Sequence, residues 1–386
     1  MHRVRRRLTG IPAGLLPRSR LARIQFSTGS SRMAPTPIPS WASPEANTAV
    51  EGLLRRWHAY DADPRPATDY IQVLDANQLG LLRTLVEPLV PISTATVEDK
   101  SGAVPAADVS ATAEDVLRGQ AVVLPPKGET LLPAEHLIYF TPRLPTSTLA
   151  SDGSDPSFNP PGGIFTRRMW AGGEMTFVQP FYEQAMQVGN EVRETTWIED
   201  ALVKKMRGGK GDEMLVVWLR KEYEVAGQVA LLDRRSWVFR KAFEGGPAPT
   251  PALPVQTASV VGGNETHSIS LSHPPATLFR FSALTYNAHQ IHLDSHWARS
   301  VEGHSDVVVH GPLNVLLLCR FWHALEARKD VQRRISTLTY RAKSPVCAGE
   351  AYSLVSGPVT EAGADVVQAV RTDSGKVIME ATISSV

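Results

Sequence analysis

The chain has 386 residues, 42% of them hydrophobic and 20% charged, with a net charge of +1. That is room for about two domains at ~150 residues each, in an ordinary globular composition. A near-neutral balance lacks the basic footprint of a nucleic-acid binder, and no apolar run reaches the ~20 residues of a membrane-spanning helix. Cys319 and Cys347 offer neither a disulfide framework nor metal-ligand spacing, so both read as small buried residues of a reducing or mitochondrial compartment.

Residues 1–32 hold eight arginines and no acid, together with Ser27-Thr28-Gly29-Ser30-Ser31. With no apolar core of a secretory signal, this is the composition of a mitochondrial transit peptide, and the matrix is the expected compartment. A basic arm touching nucleic acid or anionic lipid is the alternative. Without the segment, 32 basic face 39 acidic side chains, a charge near −7, which argues further against nucleic acid. Residues 33–66 form a proline- and alanine-rich lead-in with a helical stretch near Ala49–His58. Helical spacing of Tyr70, Val73, Leu74, Leu79, Leu82 and Leu85 predicts a core helix over Asp69–Val90.

A loop-rich region follows, holding an apolar strand, His136–Phe140, and a turn-dense segment from Ser151 to Gly163. Strands are expected at Met175–Ala185, Glu191–Leu202, Met214–Val225 and Val229–Arg240. Gly189-Asn190 and Gly208–Gly211 turn between them, so the sheet is antiparallel. Gly245–Pro254 reads as a linker. After it come a strand at Leu278–Leu284, a helix from Pro312 to Arg328, and strands at Ile335–Lys343, Ala351–Val359, Asp365–Thr372 and Val377–Ile383. Both halves place a glycine hinge before their later strands, Val188-Gly189-Asn190-Glu191 and Ala348-Gly349-Glu350-Ala351. The order of elements therefore predicts an α+β chain built as two copies of a long helix wrapped by an antiparallel sheet. The first copy spans 67–244, a linker 245–275, and the second 276–386.

Eight of the eleven histidines fall between His267 and His323. They are the side chains that exchange protons near neutral pH, so the crowding points to proton transfer or metal binding. Asn287-Ala288-His289-Gln290-Ile291-His292 leaves the expected strand as a loop, a usual place for catalytic groups. Val307-Val308-Val309-His310-Gly311-Pro312 breaks at glycine, with proline where a helix begins. The free N–H groups and dipole of such a helix start stabilise an oxygen that develops negative charge.

Arg280–Asp294, Val308–Leu313 and Thr166-Arg167-Arg168-Met169-Trp170-Ala171-Gly172-Gly173 resemble the fungal mitochondrial hydroxyacyl-thioester dehydratase type 2 group. That group belongs to the MaoC-like, R-specific hydratase branch of the hot-dog superfamily. The resemblance covers roughly Ala67–Val386 and implies a double hot-dog fold and a hydro-lyase of mitochondrial type II fatty-acid synthesis. Its substrate would be a (3R)-3-hydroxyacyl thioester on acyl carrier protein or coenzyme A, dehydrated to the trans-2-enoyl thioester without a cofactor. Homodimers are compatible with it. The wider family's Asp-x-Asn-Pro-x-His motif falls on Asn287, His289, Gln290 and His292. Its histidine is kept, while Asn287 replaces an aspartate and carries no proton; the type 2 group reads asparagine there as well.

The mechanism expected on this basis uses His292 as base, Asn287 to orient the hydroxyl, and the Gly311 N–H as oxyanion donor. Arg280, His289, His310, Trp170 and Gly172 are the substrate-binding candidates, and the first half is expected to lend an apolar tunnel. His289, His292 and His296 could instead face one side of a helix and bind zinc, although no cysteine supports it. Asp294 reads as a helix N-cap. His310 reads as fixing its turn. Arg320, Arg333, Arg334, Arg341 and Lys343, with Arg328 and Lys329, could dock an acidic carrier, or be a solvated helix face. A hot-dog thioesterase and a non-catalytic acyl-binding protein are the competing functions.

Overall fold

The computed structural model describes residues 36–57, 66–92, 124–206, 212–246, 260–263, 266–329 and 333–386. The arginine-rich leader, residues 247–259 and 264–265 of the linker, and the expected Gly208–Gly211 turn lie outside them. In chain order the elements are α1 (Pro44–Trp57), β1 (Thr68–Val73), α2 (Ala76–Val86), β2 (Arg167–Phe177), α3 (Phe181–Ala185), β3 (Glu191–Lys205), β4 (Glu213–Val225) and β5 (Gln228–Arg240). They continue with β6 (Val260–Gly263), β7 (Thr266–Leu271), α4 (Pro275–Leu284), α5 (Ser295–Ser300), α6 (Gly311–Glu326), β8 (Ile335–Ala342), β9 (Tyr352–Ser356), β10 (Asp365–Arg371) and β11 (Val377–Ser385).

The strands form one 11-stranded sheet in the order β1-β3-β4-β5-β2-β8-β11-β10-β9-β7-β6. All its pairings are antiparallel. The order is palindromic about the β2·β8 junction: β2, β5, β4, β3 and β1 correspond in turn to β8, β11, β10, β9 and β7. The double hot-dog plan is thus two sheets fused edge to edge, a junction that removes an edge strand from each copy. Both glycine hinges turn through the left-handed region, Gly189 at φ 92° and Gly349 at φ 77°, where a Cβ is strained.

α6 is the central helix of the second repeat. Leu313, Val315, Leu316, Leu317, Leu318 and Phe321 are all buried, so the helix is apolar nearly all round and sits under β10 and β11. α1, within the proline-rich lead-in, lays Ala46, Ala49, Val50 and Leu53 against β3 and β4 in a separate cluster with Ile198, Leu215 and Phe239. Cys319 and Cys347 are buried free thiols.

Four elements differ from the sequence reading. Leu278–Leu284 is helix: Leu278, Phe281 and Ser282 are buried at spacing i, i+3, i+4 while Phe279 is exposed, and Pro275 starts the turn. Asp69–Val90 splits into β1, whose exposure alternates residue by residue, and α2, capped by Asp75 accepting from the Gln78 N–H. His136–Phe140 lies on a 3-10 turn, Glu135–Ile138, followed by a left-handed Phe140. The expected first strand after the turn-dense segment begins earlier, as β2, and Phe181–Ala185 is helical.

Candidate active site

The site grows from the end of α4. Tyr286 turns through φ 48°, a conformation costly for a side chain of its size, and throws the chain out of the helix. The Asn287 N–H donates to Ser282 O at 2.8 Å. Asn287 Oδ1 accepts from the His289 N–H at 3.1 Å, which leaves the donor end of its amide for the cavity the residue lines.

His292 follows on a 3-10 turn, Gln290–His292. Its Nδ1 lies 2.7 Å from Val308 O. A carbonyl only accepts, so Nδ1 carries the proton and Nε2 keeps the lone pair. The backbone holds the same two segments together through Val308 N–H to Ile291 O at 2.9 Å. The His310 ring stacks on His292 at 3.7 Å between centroids and 18° between planes, and its Nε2 is 2.8 Å from Ser282 Oγ. Burial, then His289, pushes the His292 pKa down to about 3. Burial also holds His310 well below its ordinary value, so the stacked pair is neutral at pH 7.

A carboxylate enters from the first repeat. Asp152 Oδ2 is 3.3 Å from His289 Nε2, and the His289 ring stands 84° to that of His292 at 5.5 Å. Burial alone would raise the Asp152 carboxyl; the His289 and Ser154 contacts outweigh it and hold the group below the usual carboxylate range. The two loops are fitted tightly, with Gln290 N–H donating to Asp152 O at 2.8 Å. At Gly153 a Cβ would stand 2.2 Å from Ala288 O. Nothing in the sequence marked Asp152, because its partner lies more than a hundred residues away.

Gly311 opens α6, with His310 at the N-cap and Pro312 in the first turn. Its N–H is one of the first-turn donors an α-helix leaves without an intrahelical acceptor. A Cβ at Gly311 would meet Trp170 Cβ and Cγ at 2.8 Å, so only glycine lets β2 and the helix start approach this closely. Asn287, His289, His292, His310, Gly311 and Trp170 all line one cavity of about 950 Å³ shared by the two repeats.

Other expected site residues lie elsewhere. Arg280 is exposed on α4 and does not line the cavity, because helical rather than alternating geometry turns it outward. Gly172 serves the repeat junction: its Cβ position is 2.6 Å from Tyr340 O. Arg320 is buried and held by Glu135, Glu87 and Val90 O, so it is no docking residue. Arg333 is bound to Glu326 and Asp365, Arg334 to Glu183, and Lys343 to Glu380. Arg341 is exposed. Arg320, Lys329, Arg333, Arg334 and Lys343 are thus paired with acids. Asp294 caps α5, accepting from His296 N–H at 2.8 Å and Trp297 N–H at 3.1 Å. The three histidines of the zinc alternative are spent otherwise: His289 faces Asp152, His292 is tied to a carbonyl, and His296 is exposed.

The first repeat lends the cavity apolar side chains, among them Leu137, Phe140, Leu149, Phe158, Met169 and Val238, and sets charged groups among them. From the first repeat Arg167, Arg168, Lys221, Arg235 and Arg240, joined by Lys343 of the second, line the cavity against only Asp155 and Glu194. On the inner faces of β3, β4 and β5, Glu194, Thr196, Lys221, Asp233 and Arg235 form a buried polar belt, with Lys221 Nζ 2.9 Å from Glu194 Oε2.

Known proteins are similar to this chain in sequence over part of its length. A mesaconyl-C(4)-CoA hydratase of Chloroflexus aurantiacus is 31% identical over 257 residues, 64% of this chain and 85% of that protein. A mitochondrial hydroxyacyl-thioester dehydratase type 2 of Schizosaccharomyces pombe is 23% identical over 253 residues, 61% of this chain and 81% of its own. A crystal structure of a MaoC-like dehydratase from Phytophthora capsici overlaps 83% of this chain and 96% of its own at 14% identity, with a TM-score of 0.46. The sequence profile described as hydroxyacyl-thioester dehydratase type 2 matches residues 134–348, which hold the Asn287–His292 loop, the Gly311 helix start and Trp170, and the chain belongs to that family.

Proposed function

We propose that this hydro-lyase works through His292 as its acid–base group on a (3R)-3-hydroxyacyl thioester. The observation that carries the reading is the bond from His292 Nδ1 to Val308 O, which fixes the tautomer with Nε2 basic beside the first turn of α6. In dehydration, Nε2 takes the α-proton and the C–H electron pair moves into an enolate. The thioester oxygen gains charge next to the Gly311 N–H. The imidazolium then gives its proton to the 3-hydroxyl, the C–O bond breaks, and water leaves a trans-2-enoyl thioester. Asn287 donates from its amide to the leaving oxygen, a task that needs a hydrogen bond and no proton exchange.

An isolated imidazole of such low basicity would be a slow base toward a thioester. Oxyanion stabilisation makes up the deficit, a donor of this kind being typically worth ~3 kcal/mol. Asp152, through His289, adds negative charge on the side of His292 where the imidazolium forms. The arginine-rich leader and the mitochondrial relative support a place in mitochondrial type II fatty-acid synthesis, with acyl carrier protein or coenzyme A as carrier.

Purified protein is expected to consume the enoyl-thioester absorbance of crotonyl-CoA and to form the (3R) product by chiral analysis. A flat trace at high enzyme concentration, or free thiol release in its place, would overturn the hydro-lyase assignment. A (3S) product would overturn the stereochemistry alone. For the compartment, a fluorescent fusion of the whole chain should colocalise with a matrix marker and lose that pattern without residues 1–32.

A further inference from the structure

The wall of the cavity in the first repeat carries an arrangement the dehydration chemistry does not use. β2 and β5 pair with Trp170 opposite Trp237. Two arginines of the same inner face lie across this pair: the Arg168 guanidinium sits 4.8 Å from the Trp237 ring centroid, and that of Arg235 sits 4.9 Å from the Trp170 ring centroid. A guanidinium stacked on an indole has its flat face occupied and its N–H edge free, which is the geometry for a planar carboxylate.

Both arginines line the cavity. Arg235 is 8% exposed, and its Nε has no hydrogen-bond partner among the described residues. Asp233 holds one end of Arg235 from behind, beside His136. Among the described residues Arg168 makes no ion pair, Asp155 and Asp152 acting on it only from beyond contact distance, and its Nη1 donates to Asp155 O at 2.9 Å. An alkyl chain lying here would cover the Arg168 guanidinium and leave the Arg235 Nε unpaired, at a cost in free energy. The position is close to the reaction centre, since Trp170 packs on Gly311 with one part and carries Arg235 on its ring.

We propose that Arg168 and Arg235 form a subsite for a carboxylate on the acyl group, so that the site takes short acyl thioesters bearing a second, free acid as a substrate class beyond plain alkyl chains. The inference rests on the reaction assigned to His292. The same chemistry could come from a phosphate of the carrier, and the experiment separates the two.

trans-Glutaconyl-CoA and trans-2-pentenoyl-CoA differ in a carboxylate for a methyl, so the carrier cancels in the ratio of their kcat/KM values. The wild-type ratio is expected to favour the diacid by tenfold or more. Arg168→Gln and Arg235→Gln should each lower that ratio about tenfold, and Arg235→Lys should keep part of it, the size expected for a lost charge-assisted hydrogen bond. A wild type that prefers the alkyl substrate would sink the proposal. So would variants that weaken both thioesters equally with an unchanged ratio, which is the signature of a phosphate contact or of structural damage. Titration with the unreactive pair glutaryl-CoA and pentanoyl-CoA reads the subsite without catalysis. Tighter glutaryl-CoA binding in a protein that hydrates neither enoyl substrate would uphold the subsite and reject the His292 chemistry, and equal binding would reject the subsite.

Discussion

The two repeats share a strand order and differ in what covers their inner faces. In the second, β8, β9, β10 and β11 present Leu338, Leu354, Val367, Ala369, Met379, Ala381 and Ile383 to α6, all buried in one apolar core. In the first, the corresponding faces of β3, β4 and β5 give Val192, Tyr223 and Leu231 to that core but also carry Glu194, Lys221 and Arg235 alongside the cavity, with Asp233 behind Arg235. Apolar packing surrounds α6 in the second repeat, and the proposed catalytic groups His292 and Gly311 meet at the head of that helix, with His310 stacked on His292. The first repeat keeps its polar groups facing a space that substrate can enter. On the proposed reading, duplication separates holding the catalytic geometry from choosing the acyl group.

This division is open to attack in order of effect. The largest loss is expected from His292→Ala, which should lower kcat by 10²–10⁴-fold, the usual contribution of a positioned base, with the melting transition kept. Full activity in the folded variant would move the base elsewhere. Next is the core beneath it: Leu317→Ala should cost about 2–5 kcal/mol in denaturant unfolding, because Leu317 is fully buried in α6. A loss of similar size from Trp237→Ala, on the cavity wall, would contradict the contrast between the repeats.

Gly311→Ala probes the seam. The new methyl must push Trp170 away, so stability should fall by about 1–3 kcal/mol, and the displaced helix start should lower kcat more than KM is raised. Unchanged kinetics would remove Gly311 from the oxyanion role.

Smaller effects are expected from pH. The folded His292 pKa of about 3 lies below the ordinary 6.5, so the unfolded chain binds this proton first. Stability from this residue is full above pH 6.5 and is lost as pH falls towards 3. His292→Gln should flatten that slope in urea titrations between pH 6 and pH 4. For the same reason, protonation of free His292 should not reduce kcat/KM between pH 7 and pH 5. Asp152 adds to the acid side: its carboxyl is held below 3.8, so its contribution is present above that value and lost below it. Asp152→Asn should remove that part of the slope, and should lower kcat about tenfold if its charge supports the imidazolium.

Much of the sheet was legible because hairpin strands declare themselves by β-branched runs and glycine turns, and β3, β4, β5, β8, β10 and β11 each lie within a few residues of their expected bounds. The start of α6 was legible in Gly311-Pro312, since proline is tolerated where a helix has no N–H to satisfy. α4 was not. Phe279-Arg280-Phe281-Ser282 alternates over so short a run that a strand and one helix face look alike, and only the buried Leu278 and Phe281 against exposed Phe279 reveal the period. The basic cluster misled for another reason: sequence shows charges, whereas the acids that neutralise Arg320 and Arg333 come from other elements.

By itself the sequence determined which half carries the candidate site, because His292, Asn287 and Gly311 sit in local patterns, a motif loop and a helix start, that need no distant partner to be recognised. Tertiary structure decided the rest. The tautomer of His292 depends on Val308, its neutrality on burial, the carboxylate beside His289 on Asp152, and the character of the acyl wall on two arginines lying across a tryptophan pair. Each is a property of groups brought within a few ångströms by the fold, and hydrogen bonds and charge interactions in a buried site are set by that distance and by the exclusion of water.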